Sequence, residues 1–177
     1  MLPVVAQLNF LLGIGVILMQ VAIVVLVVPL FARNNLASQS ILGLLKKWAI
    51  PLGFFITLGA SILTLVYSDV FGFIPCSLCW FQRIFLYPQV VLLGIAWFKK
   101  DNGVWKYVIA LSVLGAVVAL YQHYLQMGGT ELLPCPADGV GDCGKRFIYE
   151  FNYVTFPLMA ATLFAWQWVL GLIAKLR

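Results

Sequence analysis

"FIPCSLCWFQRIFLYPQ", residues 73–89, sets two cysteines three apart and then an arginine into an otherwise apolar run. A charge at the centre of a membrane helix costs about 2.5–3.5 kcal/mol or more. Arg83 therefore needs a reason to stand one helical turn past a Cys-x-x-Cys pair. The surroundings make the membrane reading firm. Of the 177 residues, 63% are hydrophobic and 10% charged, and the mean hydropathy is +1.02. A soluble domain carries about 25% charged residues and about half apolar ones. The polar sequence available would not cover a globule of this size.

Working outward from that run, five stretches are long and apolar enough to cross a bilayer, about 8–32, 48–67, 80–98, 104–126 and 154–174. Each approaches the roughly 20 helical residues that a span takes. The first lacks a basic leader, and its apolar run exceeds the roughly 7–15 residues of a signal peptide core. It is expected to persist as a helix, with cleavage after about residue 37 as the alternative. The fold class is all-α integral membrane protein. There is no internal repeat, low-complexity tract or separate soluble domain. The net charge of +5 then marks topology rather than a nucleic-acid partner, because lysine and arginine collect on the cytoplasmic side.

The connections alternate in charge. Arg33, Lys46, Lys47, Lys99, Lys100, Lys106, Lys175 and Arg177 fall on one side of the membrane. The other side has Lys145 and Arg146, set against Asp69, Glu131, Asp138, Asp142 and Glu150. The positive-inside rule puts the N-terminus and the 67–79 and 127–153 loops outside, and the C-terminus in the cytoplasm. All four cysteines lie in those two loops: Cys76 and Cys79 in the first, Cys135 and Cys143 in the second. Outside a bacterial cytoplasmic (inner) membrane, disulfides form and persist.

Four cysteines admit three pairings, of which proximity favours Cys76–Cys79 and Cys135–Cys143. Cys79 falls near the N-terminus of the third helix, where exposed amides and the helix dipole favour an anion. Arg83, one turn on and on the same face, acts in the same sense. Both influences favour a nucleophilic thiolate. Cys135 and Cys143 sit in a Gly- and Pro-rich loop, "GGTELLPCPADGVGDCGKR", suited to presenting a disulfide to a soluble partner. Structural zinc is a poorer reading, because the second pair is C-x7-C and the first abuts the membrane. A purely structural C-x-x-C bridge would close a very short loop for little entropic benefit.

Arg83 has two readings. Its long stem can snorkel to the headgroups, or it can serve a ligand. His123, the chain's one histidine, lies in "LYQHYLQ" at about the same depth. A lone helical histidine is usually a packing residue, yet here it shares a level with a cysteine pair and an arginine. Electrons leaving a dithiol need an acceptor, and no haem, flavin or iron–sulfur pattern is present. A membrane quinone fits, with Arg83 bonding a carbonyl and stabilising developing negative charge. His123 would supply a hydrogen bond or proton. Trp80, Phe81 and Tyr87 could line a flat pocket. Pro88 is expected to kink the third helix.

"PCSLCWFQRIFLYP", then "YQHY", then a second outward cysteine pair, resembles the DsbB family of membrane thiol oxidoreductases, and most of all its short BdbC-like members. The resemblance runs from about residue 48 to the C-terminus. It implies a four-helix transmembrane bundle of DsbB type over 38–177, with one additional N-terminal helix in 1–37. It further implies a DsbA-like soluble thioredoxin-fold partner whose thiolate attacks Cys135, with Cys143 resolving. Cys76 would exchange with the loop pair, and Cys79 would engage ubiquinone or menaquinone beside Arg83 and His123. A DsbA-type partner is strongly oxidising, at roughly −120 mV, so a respiring quinone pool is a suitable acceptor. No metal is expected. Departures are the extra helix, Gln82 where some members carry an acid, and the short Cys135–Cys143 spacing. "KRFIYEF", residues 145–151, is the one stretch able to lie along the membrane as a helix. A vitamin K epoxide reductase-like enzyme is the nearest rival, but there the loop cysteines precede the C-x-x-C pair. A non-enzymatic subunit with structural disulfides would leave Arg83 and His123 dispensable. A transporter lacks charged residues to line a path.

Overall fold

The structure, a computed structural model, describes residues 3–31, 36–132 and 143–175. Its helices are α1 (Pro3–Phe31), α2 (Leu36–Leu65), α3 (Ser77–Lys99), α4 (Trp105–Gln126) and α5 (Phe156–Ala174). A π-helical turn, Val66–Val70, extends α2, and a 3-10 turn, Asn102–Val104, leads into α4. The five helices are each long and apolar enough to cross a membrane. Helices satisfy every backbone group within the segment, the condition for lying in hydrocarbon. Among the described residues, paired β backbone is confined to one isolated bridge, Glu150 with Val154.

Helices α2, α3, α4 and α5 form a closed ring in which each packs on the next and α5 returns to α2. α1 lies outside that ring, against α5 and α2. Burial follows this order: 56% of the apolar window of α5 is buried, against 11% for α1. Hydrocarbon gives helices no hydrophobic reason to associate, so close contact depends on small residues and polar links. A Cβ on Gly115 of α4 would run into the Phe164 ring of α5, and one on Gly171 would meet Ile109 at 2.8 Å. Near the lysine-bearing ends, Ala49, Leu93, Trp105, Val108 and Leu170 form a buried cluster. The cysteine-bearing connections lie at the opposite end of the bundle.

Two expectations change. α2 starts at Leu36, well before the apolar span at 48. Its first turns, "LASQSILGLLKK", are made of adequate helix formers, and a helix need not stop where hydrocarbon does. The boundary drawn at residue 37 therefore falls in the first turn of α2. Residues 145–151 do not form a helix. Phe151 and Asn152 have φ of 51° and 62°, and consecutive left-handed residues turn the chain instead of continuing a helix. α3 runs unbroken through Pro88. Thr155 caps α5, its hydroxyl accepting from the Leu158 amide at 3.4 Å.

The small-residue contacts are testable by unfolding the protein in detergent. Gly115→Ala is expected to cost about 1–3 kcal/mol, the usual range for overpacking a well-filled core. Gly43→Ala, where a Cβ meets nothing within 4 Å, should leave the melting temperature unchanged or slightly raised.

Candidate active site

α3 begins immediately after Ile74-Pro75. Cys76 is its N-cap, with extended backbone (φ −72°, ψ 171°) and a side chain that makes no capping bond. The Cys76 sulfur is thus left to face Cys79, three residues into the helix. The two are free thiols with sulfurs 3.1 Å apart. Closing a disulfide of about 2.05 Å would need a movement of about 1 Å. The hydrogen bond with Cys79, and then burial, hold the Cys76 thiol well above the ordinary thiol range.

One side chain binds both sulfurs. Gln122 of α4, 1% exposed, donates from Nε2 to Cys76 Sγ at 3.1 Å and to Cys79 Sγ at 3.3 Å. Its Oε1 accepts from Gln82 Nε2 at 2.5 Å. A chain of amides from α3 to α4 therefore fixes the dithiol from the side.

The two sulfurs look in different directions. Cys76 packs in a buried cluster with Leu125 and Cys143, and Cys143 is disulfide-bonded. Cys135 lies outside the described residues. Cys79 instead lines a cavity of about 550 Å³ bounded by α1, α2, α3 and α5. From α3 the cavity receives Cys79, Gln82, Arg83 and Leu86, the i, i+3, i+4, i+7 face of one helix. Its remaining walls are mainly apolar, including Phe55, Phe73 and Phe147. A volume of this order suits a small organic ligand.

Arg83 is 8% exposed. Its Nη2 donates to the Thr64 carbonyl at 2.7 Å, and its guanidinium lies 5.0 Å from the Trp80 ring. Thr64 is itself bonded to the Tyr87 hydroxyl at 2.9 Å. Among the described residues no carboxylate pairs with Arg83, so an uncompensated cation faces an apolar cavity. The side chain is buried against the last turn of α2 and does not extend into solvent.

His123 is not among the cavity's lining residues. It is half-buried, and its Nδ1 is 2.8 Å from Thr155 Oγ1, which places it as a brace for the cap of α5. Trp80, Phe81 and Tyr87 also lie off the cavity. Trp80 and Phe81 are exposed at 53% and 45%, because they sit on the helix face next to the one that carries Cys79 and Arg83. Gln122 and Gln126 escaped the sequence reading. Their signal was burial-prone amides at i and i+4 inside an apolar helix, beside the histidine that drew attention. Gln126 lines the cavity, with Nε2 on the Lys145 carbonyl at 3.0 Å and a buried Oε1 that has no partner. Among the described residues no cluster of three or more potential metal ligands occurs.

The family model for "Disulfide bond formation protein DsbB" matches residues 46–174. The chain belongs to the DsbB family. It is 36% identical over 119 residues to the SPbeta prophage-derived disulfide bond formation protein B of Bacillus subtilis, covering 67% of this chain and 80% of that protein. It is 39% identical over 112 residues to disulfide bond formation protein C of the same organism, covering 62% and 79%. A probable disulfide formation protein of Chlamydia pneumoniae is 31% identical over 121 residues, covering 68% and 86%. No solved structure matches the chain. The DsbB-family match starts within α2 and leaves out α1 altogether.

The amide chain gives this site a signature of its own. Gln122→Leu would strand the Gln82 amide in the bundle, at a cost of about 1–3 kcal/mol for an unsatisfied buried group. A double-mutant cycle with Gln82→Leu, read by unfolding in detergent, should give a coupling of about 0.5–3 kcal/mol.

Proposed function

We propose that this disulfide-forming membrane protein of the DsbB family re-oxidises a soluble thioredoxin-fold dithiol and passes the electrons to a membrane quinone. The observation that carries the reading is the division of labour between two adjacent sulfurs. Cys76 packs against disulfide-bonded Cys143, while Cys79 faces the cavity that also holds Arg83.

In this reading a thiolate of the partner attacks Cys135, forming a mixed disulfide and releasing Cys143 as thiolate. The partner's second thiol then displaces Cys135, leaving the partner oxidised and the loop pair reduced. The loop pair next reduces a Cys76–Cys79 disulfide by attack at the Cys76 sulfur, with Cys79 as the leaving thiolate. That exchange leaves a Cys76/Cys79 dithiol beside an oxidised loop pair, in keeping with free Cys76 and Cys79 and a disulfide-bonded Cys143. Overall one partner dithiol becomes a disulfide and one quinone becomes a quinol, with two electrons and two protons moved.

The cavity residues fit a quinone. Apolar walls suit a flat ring and its tail, Arg83 is a donor without a carboxylate, and Gln126 Oε1 is a buried acceptor without a partner. When bound, ubiquinone or menaquinone supplies a two-electron acceptor. Arg83 would hold one of its oxygens and stabilise negative charge there. Gln122 would keep both sulfurs in register, and Cys76 would retain its proton until the disulfide closes. The cysteine end faces outward from a bacterial cytoplasmic membrane, as the distribution of lysines and arginines supports.

The test is quinone absorbance after a reduced DsbA-like protein is added to the purified enzyme. Loss of quinone is expected with the wild type and not with Cys79→Ser. Arg83→Ala should raise the quinone KM about ten- to a hundredfold, the equivalent of a charged hydrogen bond of about 1.5–3 kcal/mol. A folded protein that consumes neither quinone overturns the reading and favours disulfides that are merely structural.

A further inference from the structure

The helix that the family match leaves out contributes a wall to the cavity. Leu12, Gly15, Val16 and Met19 of α1 all line it. Their spacing, i, i+3, i+4 and i+7, is a single helical face. Hydrogen bonds to the other helices and to the loop before α5 bracket that face. On one side the Tyr67 hydroxyl donates to Asn9 Oδ1 at 2.5 Å, and Asn9 is buried. On the other, Gln20 Nε2 donates to Thr162 Oγ1 at 3.1 Å while Gln20 Oε1 accepts from the Tyr153 hydroxyl at 3.0 Å. α1 also packs at both ends, through Val5 and Leu8 and through Ile23, Leu26 and Val27, and together with these polar bonds this holds the stripe against the bundle.

The stripe also contains an opening. A Cβ placed on Gly15 would meet nothing within 4 Å, and the same holds for Gly59 of α2. Both glycines line the cavity, so a side chain there would enter open space beside it and not a packed neighbour. Gly13, one residue outside the stripe, behaves differently: a Cβ there would meet Phe151 at 3.0 Å. Along α3 the lining runs from Cys79 to Leu86, about 10 Å at 1.5 Å per residue. The cavity thus reaches from the sulfur well into the depth of the bundle, where the apolar part of a ligand would sit.

We propose that α1 is a specificity wall for the quinone, with Gly15 and Gly59 keeping open the space that takes the ligand's ring edge and the first part of its isoprenoid tail. The proposal rests on the quinone reading above and adds a binding element outside the residues matched by the family. Removing the wall or filling the slot weakens quinone binding without touching the cysteines, Arg83 or the thiol exchange they perform.

The experiment uses the full-length protein in detergent and measures binding directly, by quenching of tryptophan fluorescence with ubiquinone and with menaquinone. Gly15→Leu is expected to raise the dissociation constant at least tenfold, Gly15→Ala less, and Gly59→Leu comparably to Gly15→Leu. Because the new side chains enter open space, the melting temperature without quinone should not fall. Gly43→Leu, equally open but away from the cavity, should leave binding unchanged. Transfer of electrons from a reduced DsbA-like protein to the cysteines in the absence of quinone should proceed at the wild-type rate in all four variants. Wild-type binding with an unaltered dissociation constant in folded Gly15→Leu and Gly59→Leu would overturn the wall and leave the quinone reading standing. A folded wild type that binds neither quinone would overturn both. Should Gly15→Leu fail to fold, Gly15→Ala with an unaltered constant would overturn the wall by itself.

Discussion

Hydrocarbon offers no hydrogen bonds, so a side-chain amide carried into a membrane helix finds its partners within the protein, most usefully on a neighbouring helix. This constraint organises the whole molecule. Gln167 of α5 reaches the Gly53 carbonyl of α2 at 3.0 Å, and Ser112 of α4 reaches Gln89 of α3 at 3.3 Å. Gln82 and Gln122 join α3 to α4 at the sulfurs. Each link ties one pair in the ring of four helices, and Asn9 and Gln20 tie the fifth helix to that ring. Smaller hydroxyls such as Thr57 and Ser61 turn back onto carbonyls of their own helix, so the links between helices fall mainly to the amides.

The same constraint separates the two sulfurs of the C-x-x-C pair. A helix N-cap has extended backbone, while a residue three further on is helical, so the two cysteines leave the chain at different angles. Cys76 turns toward the bundle's own interior at α4 and the second loop, and Cys79 turns toward the α1–α2 side. A spacing that reads only as "redox pair" in one dimension becomes two sulfurs with different surroundings, which the proposed function uses as an entrance and an exit. Gln122 touches both sulfurs at nearly equal distance, so it holds the pair in one orientation.

Much of this was legible in the residues. Five apolar runs, their basic flanks and the C-x-x-C followed by arginine carried the fold and the placement of Cys79 and Arg83 on one face, because helical periodicity alone decides that. Other features were not legible. His123 stood out as the one histidine, yet the face that α4 turns to its neighbours is decided by packing across the bundle, and it brings Gln122 to the sulfurs and His123 to Thr155. The aromatics after Cys79 looked like pocket walls, but adjacent positions on a helix point about 100° apart. The lining aromatics come instead from α2, α5 and the loops, whose approach to α3 no local pattern encodes. The early start of α2 was hidden because hydropathy reports where hydrocarbon lies and not where a helix ends.

Arg83 shows how these pieces depend on one another. Among the described residues Arg83 has no carboxylate partner, and a guanidinium in an apolar cavity is destabilising unless something shares its charge. The Thr64 carbonyl and the face of Trp80 share part of it, but neither neutralises it. An acidic partner would stabilise the resting protein better, yet it would cancel the positive potential at the Cys79 sulfur. It would also occupy the donors that an incoming electron acceptor needs. Under the proposed function, this arginine, without a carboxylate partner among the described residues, is stability forgone for a preorganised charge. That arrangement is tolerable because the ring of four helices is locked by its small residues and amides elsewhere. α1, packed against α2 and α5, closes the cavity on a further side.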